Sequence, residues 1–133
     1  MKANPYRAYE NNAVTTASPA ELTLMLYNGC LKFIKQGKAA IENNDIQSKN
    51  TNLQKAQNII SELMITLNRD VSLSQNLESL YEYIHNRLIQ ANLNSDIEIL
   101  NEVEGFVTDF RDTWKQVIQI TRQENHKQAV GRV

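Results

Sequence analysis

The chain has 133 residues, enough for one domain with a single substantial core. Fourteen basic and fifteen acidic residues leave a formal net charge of −1, so no global field draws it to nucleic acid, anionic lipid or a strongly acidic substrate. Cys30 is the single cysteine, which excludes an internal disulfide and a zinc site built on paired thiolates.

The opening, MKANPYRAYENN, lacks the apolar core of a signal peptide, and no later run could span a bilayer. A reduced, cytoplasmic protein without membrane insertion is expected. Residues 1–17 read as an irregular N-terminal arm. Tyr6 and Tyr9, three apart, are more aromatic than a purely disordered leader carries, and are expected to dock on the domain behind them. Beyond the arm the composition favours helices. There are four glycines and two prolines, and the one Asn-Gly pair, Asn28-Gly29, lies inside an apolar run rather than between strands.

Four helix starts can be read as a polar cap followed three residues on by Glu or Gln. Ser18-Pro-Ala-Glu21 opens the first helix, with Pro19 at the initial position, where its missing N–H costs nothing. Projected at about 100° per residue, Leu22, Leu24, Leu26, Tyr27, Cys30, Leu31, Phe33 and Ile34 cover roughly 200° of its circumference, and Met25 falls almost opposite. Asn44-Asp-Ile-Gln47 opens the second, with Leu53, Ala56, Ile60, Leu63, Met64, Leu67 and Val71 as its stripe and Ile65 about 150° away. Ser72-Leu-Ser-Gln75 opens the third, with Leu77, Leu80, Tyr81, Ile84, Leu88 and Ala91 as its stripe. Ile89 and Leu93 lie about 140–180° from that stripe and Tyr83 flanks it by about 100°. Ser95-Asp-Ile-Glu98 opens the fourth, with Ile99, Leu100, Val103, Phe106, Val107, Phe110, Trp114, Val117 and Ile118 facing the core. The joints are short, so successive helices must reverse direction. The expectation is an all-α, antiparallel up-down four-helix bundle over residues 18–123, with a polar, disordered tail at 124–133.

Catalytic chemistry finds no footing. Glu82 and His85 match the Glu-x-x-His element of di-iron bundles, but the second such motif is missing and both residues lie off the apolar stripe, so no metal is expected. Cys30 sits centrally on the first helix's apolar arc and reads as a buried structural thiol. Glu98, Glu102, Asp109 and Asp112 read as a solvated helix face rather than an acid–base pair. No phosphate-binding loop or nucleophilic triad is present, and basic residues are dispersed, which disfavours nucleic acid. The expectation is a protein that is not an enzyme and takes no cofactor. Its surplus outer apolar residues suit the apolar face of a partner's helix, with self-association into a structural or adaptor module as the alternative.

Four stretches, YRAY in the arm, TASPAELTLMLYNGCLKFI, LYEYIHNRLIQANLNSD and EVEGFVTDFRDTWKQV, together resemble the flagellar secretion chaperone (FliS) family over essentially the whole chain. That resemblance implies a cytosolic export chaperone that holds the C-terminal region of flagellin along its outer surface. It would prevent premature polymerisation and keep flagellin competent for flagellar type III secretion. Also implied are contact with the cytoplasmic domain of the export gate, contact in some members with other flagellar regulators, and an arm whose tyrosines cover part of the empty flagellin site. Tyr6 and Tyr9 stand in those arm positions. Met25, Tyr27, Ile65, Tyr83, Ile89 and Leu93 are the candidate apolar contacts. Arg87, Gln90 and Asn92 are candidates to bond the polar backbone of an extended guest.

Overall fold

The computed structural model describes residues 18–67 and 72–131, with side chains over 18–67 and 75–127. The expected arm, including Tyr6 and Tyr9, lies outside the described residues. Four helices follow in order: α1 Pro19–Glu42, α2 Ile46–Thr66, α3 Ser72–Asn94 and α4 Ile97–Gly131. Each packs against its neighbour in the chain, and α1 also packs against α4, closing an antiparallel four-helix bundle.

The helix starts show how closely the joints are drawn. Ser18 caps α1 as expected, its hydroxyl accepting from the Glu21 amide at 3.2 Å. Glu21 does not reach back to the cap; its carboxylate pairs with Arg122 of α4. The next caps fall one residue later than the sequence suggests. Asp45, not Asn44, accepts from the Ser48 amide at 3.1 Å, and Asp96, not Ser95, accepts from the Ile99 amide at 3.2 Å. Asn44 and Ser95 are occupied otherwise, adopting φ of 55° and 50° to end the preceding helix. The Asp45 amide reaches back to the Ala40 carbonyl and the Asp96 amide to the Ala91 carbonyl, at 2.9 and 3.0 Å. One aspartate at each joint thus closes a left-handed C-terminal turn and opens the next helix. At the third start, Ser72 is already helical, so its cap position falls outside the described residues.

The joint between α3 and α4 is held from α2. Lys49 is only 6 % exposed, and its ammonium donates to the Asn92 carbonyl and to the Ser95 hydroxyl, both at 2.8 Å. A cation at a helix C-terminus meets the negative end of the dipole and a carbonyl with no helical partner. Lys49→Met keeps the apolar stem but leaves that carbonyl unpaired. It should lower the urea-unfolding free energy by about 2 kcal/mol. A loss below ~0.5 kcal/mol would show that the joint does not depend on the ammonium.

The core runs the length of the bundle through Cys30, Ile34, Leu53, Ile60, Ile84, Leu88, Leu100 and Val107. Burial pushes the Cys30 thiol up to about 12, as suits an inert structural cysteine. Towards the start of α1 the core becomes aromatic. Tyr27 and Tyr81 share a hydroxyl–hydroxyl bond of 2.5 Å across the bundle diagonal, and burial raises both phenols. Phe110 lies against both rings. Trp114 meets Tyr27 edge-on and donates its indole N–H to the Ala20 carbonyl at 2.8 Å.

The helix α4 departs from expectation at its end. It continues through the predicted disordered tail as far as Gly131. Residues 123–130, QENHKQAV, contain no proline or internal glycine, and extending an existing helix needs no new nucleus. Its last turns therefore project past the start of α1, which is tied to it at Glu21–Arg122.

Candidate functional site

Adjacent helices do not approach one another equally. The pair α1/α2 is the closest, and α3/α4 is the loosest of the four contacts. Small residues explain the first: Gly29 and Gly37 of α1 face Ile59 and Leu53 of α2 with no space for a side chain at Gly37. No such device draws α3 to α4. A groove remains between them, and five large apolar side chains line it with substantial exposure: Leu80 and Tyr83 of α3, and Phe106, Val117 and Ile120 of α4.

The register is set by contacts across the groove. Tyr83 meets Phe106 edge-on with ring centroids 6.1 Å apart. One turn further along α3, the Arg87 Nε donates to Glu102 at 2.9 Å, and the Tyr83 hydroxyl donates to the same carboxylate at 3.1 Å. Arg87 also donates to the Gln90 side-chain oxygen at 2.8 Å. This polar clamp closes one end. At the other end α3 begins about level with Val117, so Ile120, 54 % exposed, stands beyond it. From Glu102 to Ile120 the groove is roughly 27 Å long, the length of an 18-residue helix. Phe106, Val117 and Ile120 fall within about 60° of one another around α4. A second amphipathic helix could bury its apolar face there.

The candidates taken from the sequence divide on this geometry. Tyr83, Arg87 and Gln90 border the groove. Ile89 and Leu93 lie on α3 roughly 80–120° further round from Tyr83. Ile65 and Leu93 are 75 % and 79 % exposed, but at opposite ends of the bundle, and they form no surface with the groove. Met25 is half-buried on α1. Tyr27 must be corrected: at 2 % exposure, with its hydroxyl held by Tyr81, it is core and cannot touch a guest. Asn92 is corrected too, because its carbonyl is taken by Lys49 and its side-chain oxygen is buried.

Leu80, Phe106 and Val117 fall on the expected core stripes, and Ile120 on none. A sign is nonetheless present in the sequence. Phe106-Val107 and Val117-Ile118 are adjacent apolar pairs, and neighbours about 100° apart on a helix cannot both point at one core. Val107 and Ile118 are the buried members.

The profile of the family described as "Flagellar protein FliS" matches residues 2–121. The chain belongs to the FliS family. It is 59 % identical to the flagellar secretion chaperone FliS of Bacillus subtilis (strain 168), over 92 % of each chain. With the proteins of the same name from Escherichia coli (strain K12) and Salmonella typhimurium the identity is 37 % and 36 %. Those matches cover 79 % of both chains in the first case, and 80 % of this chain and 81 % of the relative in the second. A solved structure titled as a flagellar chaperone from bacteria superposes with a TM-score of 0.72 at 20 % identity, over 86 % of this chain and 94 % of that one. That likeness speaks to the fold, and it agrees with the helical bundle of this FliS chain. No described helix is long and apolar enough to cross a membrane, and no described group of three or more His, Cys, Asp or Glu side chains is placed to hold a metal ion.

Proposed function

We propose that this chain is a cytoplasmic export chaperone for flagellin, and that it holds a helical part of flagellin's C-terminal region in the α3/α4 groove. In this reading the groove covers apolar surface that would otherwise drive premature polymerisation. The loaded complex is then presented to the cytoplasmic domain of the export gate, with other flagellar regulators as further partners. The observation that carries the reading is the apolar line from Leu80 and Tyr83 to Ile120, exposed in a monomer with no need of it. Family membership supplies the context of flagellar secretion.

The energetics are sufficient. Covering about 600 Å² of apolar surface at ~25 cal/mol/Å² yields a gross ~15 kcal/mol. Ordering the guest and losing its translational freedom consumes much of this, leaving room for micromolar to nanomolar binding. Titration calorimetry with a C-terminal flagellin fragment should give one-to-one binding with a negative heat-capacity change. No heat and no complex at ~10 µM would end the proposal. The rival occupant, a second copy of the chain, would appear as concentration-dependent sedimentation of the free protein.

A further inference from the structure

Glycine is the poorest helix former after proline, so each glycine within a helix calls for a reason. Two have one in the monomer. A Cβ at Gly37 would lie 2.5 Å from Leu53, and one at Gly29 would lie 3.3 Å from Ile59. Gly105, inside α4, has neither crowding nor an unusual backbone. A Cβ there would meet nothing within 4 Å, and no described glycine has positive φ. The fold alone would be better served by alanine.

Gly105 lies on the outer rim of the groove's α4 wall. Around the helix, Glu98, Glu102, Gly105 and Asp109 form one row within about 60°. Tyr83 and Phe106 form the groove floor beside it. Glu102 is engaged by Arg87 and Tyr83, whereas Glu98 and Asp109 have no ion-pair partner among the described residues. The row is thus a bare notch with free acceptors on either side.

We infer that Gly105 is the crossing point at which the guest's helix comes into backbone contact with α4. A missing side chain on an exposed helix permits that approach, and nothing in the monomer uses it. The occupant is an amphipathic helix of the guest. It presents Ala, Gly or Ser at the crossing, apolar side chains over Tyr83 and Phe106, and amide, hydroxyl or basic donors one turn to either side, facing Glu98 and Asp109. The assignment rests on the groove being the flagellin site and adds which of its residues fixes the guest's register.

The test measures melting temperature and affinity for a C-terminal flagellin fragment in Gly105→Ala, Gly105→Met and Phe106→Glu. Gly105→Ala should raise the melting temperature by about 2–4 °C, because only the propensity change acts on the free protein. It should also weaken binding about threefold to tenfold, and Gly105→Met about 100-fold at an undiminished melting temperature. Full affinity in both Gly105 variants, with binding lost in Phe106→Glu, would overturn the crossing and leave the groove standing. Full affinity in Phe106→Glu would overturn the groove and the crossing with it.

Discussion

Phe106→Glu is expected to lower the affinity for a C-terminal flagellin fragment by about 100-fold, close to 2.7 kcal/mol, and Ile120→Glu by about tenfold. Both changes place a carboxylate beneath a docked apolar helix, where it loses hydration and finds no cation. The larger effect belongs to Phe106. Its ring sits mid-groove against Tyr83, and the new charge would stand beside Glu102 and Asp109. Ile120 stands beyond the start of α3, where the guest is covered on one side only. The free protein should fold in both cases. Phe106 gives up an edge-on aromatic contact worth about 1 kcal/mol, and Ile120 is already mostly in water. Ile65→Glu and Leu93→Glu discriminate, since both residues are exposed apolar candidates away from the groove. Loss of binding in those two with Phe106→Glu unaffected would move the site off the α3/α4 face.

What the sequence discloses and what it hides follow from one limit. Helical periodicity assigns a residue to a face of its own helix but does not place the neighbouring helices around that face. The four elements, their antiparallel order and the inert Cys30 are legible because caps, stripes and short joints are local. The caps at Asn44 and Ser95 are misread by one residue because a left-handed turn between helices competes for the same polar residues. Tyr27 looks available because it borders a 200° arc, roughly, and only the bundle's closure puts Tyr81 and Phe110 around it. Phe106 and Val117 look buried for the converse reason: they lie on the side of α4 where α3 stands off. Gly105 is silent in sequence, because a helical glycine required by packing and one that is not required look the same until the neighbours are known.

Leu53→Ala should cost about 3–5 kcal/mol in urea unfolding, and Gly37→Ala should change sign in its presence. Leu53 is fully buried, and its side chain occupies the space that any residue other than glycine at position 37 would need. Placing a methyl group there in the parent protein puts it 2.5 Å from a Leu53 methyl. Leu53 cannot give way without disturbing a packed core, so an overpacking cost of about 1–3 kcal/mol outweighs the gain of about 1 kcal/mol in helix propensity. With alanine at position 53 the obstruction is gone. The new methyl group then refills part of the cavity and the propensity gain survives, so Gly37→Ala should stabilise the Leu53→Ala variant by about 1 kcal/mol. The coupling between the two positions should therefore be about 2 kcal/mol. Additivity to within ~0.3 kcal/mol would mean that α1 and α2 do not meet at Gly37 and Leu53. It would also remove the reason why α1/α2 is closed while α3/α4 is open, because the closed pair is held by a close fit of glycine to leucine that the open pair lacks.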